Sequence, residues 1–219
     1  QGMQVIAIAS KREYRGVNVF NVSDEVNMTF IGFVAFLDPA KKDAKATLKK
    51  LKSIGITTKI LTGDNPYAAN NICNLVGLEN KETLLGTDID KMSDEELAKK
   101  VEEVNVFARM NPLQKERVVK QLKNNGHVVG YMGDGVNDSP SLHIADVGIS
   151  VNTATDIAKE AADIILLERS LKVIYEGVLE GRRVYGNIIK YILPDFLVSY
   201  LGCTILILMG LFMCFQSLK

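Results

Sequence analysis

The chain has 219 residues, with 26 basic and 26 acidic side chains and zero net charge. That length holds one good-sized domain and an appendage, and the balanced charge excludes a nucleic-acid binder driven by bulk positive charge. Cys73, Cys203 and Cys214 are scattered and form no CxxC pair, so neither a disulfide framework nor a zinc site is suggested. His127 and His143 are too far apart in sequence to suggest a metal cluster, and structural roles are the simpler reading. The first residues do not read as a signal peptide.

Residues 3–10 (MQVIAIAS) form an apolar, β-branched run that predicts a strand. Residues 11–27 are polar and irregular. Residues 28–37 (MTFIGFVAFL) predict a second strand, closed by Asp38-Pro39, because proline disfavours a helical residue before it. Residues 43–54 place Ala44, Leu48, Leu51 and Ile54 at helical spacing, and Gly55 caps that helix. Its lysines read as a solvated face rather than a binding patch. Residues 56–61 (ITTKIL) predict a strand ending in Thr62-Gly63-Asp64-Asn65-Pro66, followed by a helix over 67–76 that Gly77 ends. A hydroxyl and backbone N–H groups at a helix N-terminus suit a phosphate. The plain alternative is an N-cap and nothing more.

Residues 83–104 contain Ser93-Asp94-Glu95-Glu96, a capping box with a structural role. Residues 106–108 predict a short strand, 109–112 a turn, and 113–124 a helix with Lys115 near its start. A lysine there can place its ammonium over a phosphate, although a lone lysine is ordinarily just an exposed one.

The apolar run 127–132 predicts a buried parallel strand. It breaks into Gly133-Asp134-Gly135-Val136-Asn137-Asp138. Gly133 is expected to free the backbone to leave the strand sharply, and Gly135 to let it pass close to a ligand. Asp134 falls at the carboxyl edge of the expected sheet, where open α/β sheets bind ligands. A Mg²⁺ ion shared with phosphate oxygens needs one or two such carboxylates. Asp134 is therefore the expected Mg²⁺ ligand, with Asn137 and Asp138 completing the site by hydrogen bonding and orientation. An ordinary surface turn is the alternative, since the same residue types are common turn formers.

Residues 145–151 (ADVGISV) predict a strand, 155–162 a short helix, 164–167 a strand and 171–190 a charged amphipathic helix. Residues 196–215 (FLVSYLGCTILILMGLFMCF) carry no charge and match the roughly 20 residues a helix needs to cross the hydrocarbon core. A membrane span is expected there, with a hydrophobic core helix as the alternative. Arg182, Arg183 and Lys190 precede it and only Lys219 follows, so the positive-inside tendency places the preceding domain in the cytoplasm. Pro194 and Asp195 mark its interfacial entry or, as a second reading, part of an ion path.

Strands thus alternate with helices, which predicts an α/β fold: a parallel sheet with helices on both faces, followed by a C-terminal transmembrane helix. Thr62-Gly63-Asp64, Lys115 and the stretch 134–138 then fall at the carboxyl edge. A hydroxyl, an ammonium and a metal-binding carboxylate are the parts that stabilise a transferring phosphoryl group.

TGDN, FARMNPLQKERVV and GDGVNDSPSLHIADVGIS, in this order, resemble the phosphorylation domain of P-type cation-transporting ATPases, which has the haloacid-dehalogenase-like fold. The resemblance runs over about residues 2–192. LDPAKKDA, GTDIDKMSDEELAKK, DIAKEAADIILLERSL and EGRRVYGNIIKYI look most like the magnesium-transporting subfamily of bacteria. The resemblance implies that Asp134 binds Mg²⁺ and that Asn137 and Asp138 position metal and phosphate. It implies that Thr62, Gly63 and Asp64 contact the phosphoryl group and the nucleotide side, and that Lys115 neutralises phosphoryl charge. Lys115, Asp138 and Thr62 are the implied catalytic set. Mg²⁺ and ATP are the implied cofactors, and a transported divalent cation and the lipid bilayer the implied partners, with no nucleic acid. The implied location is the plasma membrane, multi-pass in a longer protein, with the α/β domain cytoplasmic. The implied division is a tail of the nucleotide-binding domain over 1–27, the phosphorylation domain over 28–175, a linking helix over 176–191 and a transmembrane helix over 192–215.

In that family ATP phosphorylates an aspartate in a DKTGT motif, and hydrolysis of the aspartyl phosphate is coupled to cation movement. No DKTG occurs here; in the family it lies upstream. The chain is thus expected to be a segment of a pump that lacks the nucleophile and does not complete a transport cycle without the N-terminal part. Two other readings remain. One is a membrane-tethered phosphatase of the same fold with Asp38 as nucleophile, although Pro-Ala-Lys follows Asp38 instead of Asp-x-Thr. The other is a non-catalytic, truncated protein that keeps the fold and binds Mg²⁺ or phosphate. The span departs from the subfamily around Pro194-Asp195, so no cation-coordinating residue is assigned.

Overall fold

The computed structural model describes residues 4–12, 21–36, 41, 43–168 and 170–216, with the side chains of 195, 197, 206 and 210–216 outside that description. Asp38 and Lys219 lie outside the described residues. The chain forms two compact units, Gln1–Leu171 and Lys172–Lys219.

The first unit is built on β5 (Val106–Ala108), whose three residues are all buried. Alternation along a strand sends successive side chains to opposite faces. Phe107 packs with Leu97, Val101, Met110 and Val118, while Val106 and Ala108 pack with Ala69 and Cys73. Helices α4 (Asp94–Glu103) and α5 (Pro112–Asn124) therefore cover one face, and α2 (Pro66–Val76) covers the other. The strands β3 (Ile60–Leu61) and β4 (Thr83–Leu85) flank β5 in parallel, in the order β3-β5-β4. The helix α1 (Ala44–Ser53) packs beside α2.

Local chemistry sets the ends of these helices. Ser93 Oγ accepts from Glu96 N at 3.2 Å while Ser93 N donates to Glu96 Oε2 at 2.9 Å, the expected capping box. Asn65 caps α2 by accepting from Ala68 N at 2.9 Å, and Gly77 closes it at φ +69°. Strand β4 and the short helix α3 (Gly86–Ile89) lie in a stretch, 83–104, that the sequence resolved only at its capping box.

A second parallel sheet takes the order β6-β7-β8, from Gly130–Met132, Val147–Val151 and Ile164–Leu166. Between its strands lie α6 (Ser139–Ile144) and α7 (Asp156–Glu160). The strands β3 and β6 are shorter than their apolar runs, and the residues just before each are held by other contacts. Val129 N donates to Asp146 Oδ2 at 2.8 Å instead of to a strand. Lys59 Nζ donates to the Val104 carbonyl at 2.7 Å.

One region departs from the parallel scheme. The strands β1 (Gln4–Ser10) and β2 (Thr29–Phe36) pair with each other, antiparallel, as a separate ribbon. A parallel pair needs a crossover, usually a helix. The described part of this connection holds only a single 3-10 turn, Val22–Asp24. Phe30 and Phe33 meet edge to face at 4.9 Å, yet Phe33 remains 70% exposed.

The second unit is one helix, α8 (Leu171–Gln216), with Pro194 inside it. At about 1.5 Å per residue it outreaches the roughly 30 Å hydrocarbon core, so only part of it fits within a bilayer. Among the described residues it alone is long and apolar enough to cross a membrane, with a mean hydropathy of 2.0 over an 18-residue stretch.

Candidate active site

The turn after β3 is held by side-chain bonds within it and by backbone bonds to the end of β5. Thr62 Oγ1 donates to Asp64 Oδ2 at 2.9 Å and accepts from Asp64 N at 3.1 Å. Its backbone is tied to the end of β5, with Met110 N donating to Thr62 O at 3.0 Å and Arg109 N to Asp64 O at 2.9 Å. Arg109 turns there at φ +52°, a left-handed conformation that costs a non-glycine residue energy. Gly63 and Asp64 are exposed.

The turn after β6 is fastened more deeply. Gly133 N donates to Ile149 O at 3.1 Å, and the fully buried Ser150 donates its hydroxyl to Gly133 O at 2.9 Å. Thr155 N donates to Asp134 O at 3.1 Å, so the cap of α7 also holds this loop. Neither Gly133 nor Gly135 has positive φ, so the chain leaves β6 without a left-handed residue at either glycine. Gly133 is required for space, because a Cβ there would lie 2.5 Å from Asp138 Cβ and 2.8 Å from Asp138 Cγ. At Gly135 the nearest atom to an added Cβ is Asp138 Oδ2, at 3.7 Å.

Asp138 is the centre of the site. Lys115 Nζ donates to its Oδ1 at 2.7 Å, with the two side chains only 11% and 15% exposed. Tyr131 donates its hydroxyl to the same oxygen at 2.9 Å, and Gly135 N donates to Oδ2 at 3.4 Å. Burial pushes the Asp138 carboxyl up, but the bond and charge of Lys115, with the Tyr131 and Gly135 bonds, hold it below the usual carboxylate value. Burial, then the Asp138 charge, pushes the Tyr131 phenol far above its usual value.

Lys115 sits on α5, the helix that follows β5, and reaches a carboxylate on the loop that follows β6. It thus joins the two parallel sheets at the level of the loops. Asp134 and Asn137 are exposed on that same loop. The Asp134 carboxylate accepts no hydrogen bond among the described residues, while its backbone is fixed by Thr155. An accessible, unspent carboxylate on a pinned backbone fits a Mg²⁺ ion that keeps waters and phosphate as its other ligands. Among the described residues no three His, Cys, Asp or Glu side chains converge, so an all-protein metal cage is not what this loop offers. No hydrogen bond joins the Thr62-Asp64 turn to the Lys115–Asp138 pair among the described residues.

Tyr131, Thr155 and Ser150 were given no part by sequence reasoning. The signal for Tyr131 was present: a tyrosine interrupts an aliphatic run, directly before the aspartate-bearing turn.

Parallel strands with helices on both faces form an α/β fold that carries a lysine–aspartate pair and an accessible carboxylate at the strand ends. The family model of haloacid dehalogenase-like hydrolases matches residues 6–146, and the chain belongs to that family. It is 51% identical over 192 residues to the "Magnesium-transporting ATPase, P-type 1" of Escherichia coli K12, an alignment covering 88% of this chain and 21% of that protein. It is 41% identical over 202 residues to "Calcium-transporting ATPase 1" of Bacillus cereus, covering 91% of this chain and 22% of that one. The crystal structure of a zinc-transporting PIB-type ATPase in the E2.Pi state is similar in fold, with a TM-score of 0.57 and 28% identity. It matches 75% of this chain and 23% of its own. The chain is therefore homologous to a segment of P-type ATPases, and it spans about a fifth of the length of the curated relatives it matches.

Proposed function

We propose that this chain supplies the Mg²⁺-binding and phosphoryl-stabilising part of the aspartyl-phosphate site of an ATP-driven cation pump, with Mg²⁺ as the transported ion. The observation that carries this reading is the largely buried Lys115–Asp138 pair, 2.7 Å apart, whose aspartate lies on the loop that also presents the unspent Asp134 carboxylate. The identity to proteins named as magnesium-transporting ATPases supports the choice of ion.

The residues divide the work as follows. Asp134 holds the catalytic Mg²⁺, which when bound neutralises charge on the phosphoryl oxygens. Asn137 would position the metal and the phosphate by hydrogen bonding. Lys115 brings its ammonium to the phosphoryl oxygens as negative charge gathers on them. Asp138 stores that ammonium at the edge of the site and returns it there. Thr62 and Gly63 offer a hydroxyl and a backbone N–H to the phosphoryl group, and Asp64 faces the nucleotide side. The nucleophilic aspartate comes from a part of the pump outside these residues: its oxygen attacks the γ-phosphorus, the bond to the β-phosphate oxygen breaks and ADP leaves. Water then attacks the aspartyl phosphate and releases inorganic phosphate.

We assign residues 1–27 to the tail of the nucleotide-binding domain, 28–175 to the phosphorylation domain, 176–191 to a linking helix and 192–215 to a membrane span of a multi-pass protein. The charged first half of α8, with Glu176, Glu180, Arg182 and Arg183, and the uncharged run after Asp195 support that division.

The test is complementation. The chain in detergent is mixed with a separately made fragment carrying DKTGT and the nucleotide-binding domain, then given Mg²⁺ and labelled ATP. An acid-stable, hydroxylamine-sensitive phosphoprotein is expected, and it is expected to vanish with Asp134→Ala or Lys115→Ala. No phosphoprotein in a mixture shown to assemble overturns the reading.

A further inference from the structure

We propose that Tyr131 is a positioning residue whose hydroxyl holds Asp138 in place when Lys115 leaves it for a phosphoryl group. The proposal rests on the reading of Lys115 given above and deepens it.

The geometry is specific. Both donors converge on one atom: Asp138 Oδ1 takes Lys115 Nζ at 2.7 Å and the Tyr131 hydroxyl at 2.9 Å. Tyr131 is 8% exposed, at the middle of β6, and Asp138 is seven residues further on. A buried carboxylate stripped of its partner is costly, because neither water nor a counter-charge compensates it. If Lys115 were the only strong donor, its departure would leave Asp138 in that condition. The ion pair would then compete with phosphate for the ammonium. The phenol lowers this cost, since it remains bonded to the carboxylate after Lys115 has gone.

Two further features support the assignment. Burial and the adjacent carboxylate keep the phenol protonated, so it serves as a permanent donor and not as an acid or base. Gly133 leaves the space that lets Asp138 approach, since its missing Cβ would fall within 2.5 Å of Asp138 Cβ. Packing of β6 needs only a ring at position 131, and a phenylalanine would fill it. The hydroxyl is the part left to explain: it donates to Asp138 Oδ1, with the buried Ser141 hydroxyl beside it.

The experiment titrates the full chain in detergent with inorganic phosphate at saturating Mg²⁺, by calorimetry, for the wild type, Tyr131→Phe, Asp138→Asn and the double variant. The thermal midpoint of each protein is read alongside. Tyr131→Phe is expected to weaken phosphate binding roughly tenfold, the order that one hydrogen bond to a charged group is worth. In the Asp138→Asn background the same substitution is expected to change affinity less than about twofold, because no buried charge remains to be held. A merely structural tyrosine would lower the midpoint and weaken phosphate equally in both backgrounds, which overturns the proposal. Equal affinity of Tyr131→Phe and wild type, with Lys115→Ala still impaired, overturns it while sparing the role of Lys115. A wild-type chain that binds no phosphate, or binds it equally well with Lys115→Ala, overturns both.

Discussion

The turns after β3 and β6 share one layout: a strand, a short turn carrying oxygen ligands, and a helix. They differ in what holds them. In the Thr62-Asp64 turn the two side chains bond within the turn, at an exposed position, and only the backbone is tied elsewhere, to Phe107, Arg109 and Met110. The turn at Gly133–Asp138 is held by Lys115 from α5, Ser150 from β7, Thr155 from the cap of α7 and Tyr131 from β6. The first has a fixed backbone with solvent-facing side chains that can turn to a ligand. The second is a crossing point of the fold, and its geometry is set before any ligand arrives. Preorganised charges cost little reorganisation when a reaction occurs, so the electrostatic burden belongs to the second turn and the adaptable contacts to the first.

The largest effect should come from breaking the crossing point. Lys115→Ala leaves Asp138 buried without its counter-charge, and we expect a loss of about 3 kcal/mol in the stability of the α/β unit. Urea unfolding followed by tyrosine fluorescence checks this, the chain having 7 tyrosines and no tryptophan. A loss under about 0.5 kcal/mol, the size usual for surface changes, would erase the distinction between the two turns.

Space comes next. Gly133→Ala forces a methyl group to within 2.5 Å of Asp138 Cβ. The loop or the carboxylate must shift, at about 2 kcal/mol by the usual cost of overpacking. Gly135→Ala meets nothing nearer than 3.7 Å, and its expected cost is within about 0.5 kcal/mol. The pair therefore separates packing from ligand approach. A Gly135→Ala protein of normal stability that loses Mg²⁺-dependent phosphate binding locates the ligand against that glycine.

Sequence reasoning reached the elements and fell short of the bonds between them. Strand ends, caps and helix faces are local, so the Ser93–Glu96 box, the Asn65 turn and the α/β alternation were legible. Lys115 and Asp138 were named separately, but their contact spans 23 residues and two sheets. Nothing in either segment's pattern specifies it. The space that Gly133 leaves for Asp138 was not legible for a related reason: a glycine at a sharp turn and one needed for space look alike in a sequence. The antiparallel ribbon was not foreseen: both runs were read as strands of a parallel scheme, although the polar stretch between them offers no crossover helix.

A smaller effect appears in acid. Asp138 has a folded-state pKa below the ordinary 3.8, despite the opposing push of burial, because Lys115, Tyr131 and Gly135 bond its charged form. A depressed carboxylate contributes stability that is fully present above its unfolded value and is lost as pH falls through the folded one. We therefore expect the α/β unit to lose stability below about pH 4, and Asp138→Asn to flatten that limb. Tyr131→Phe should move the limb to higher pH, since one of the bonds that depress the carboxyl is removed. A limb unchanged by Asp138→Asn would place the acid sensitivity elsewhere.

The smallest effect on stability, and the most telling for the comparison, belongs to the first turn. Thr62→Val keeps the shape and removes a hydroxyl that both donates to Asp64 Oδ2 and accepts from Asp64 N. These bonds lie in solvent, where water replaces them, so the expected cost is about 0.5 kcal/mol. Thr62→Ser should cost less still, because the hydroxyl survives. If the turn is an adaptable phosphate contact, Thr62→Val lowers phosphoprotein formation in the complementation mixture severalfold while the unfolding midpoint barely moves, and Thr62→Ser restores it. Lys115→Ala would lower both together. A turn that only caps α2 gives the opposite result, because Asn65, not Thr62, carries that cap: Thr62→Val would then leave phosphorylation intact.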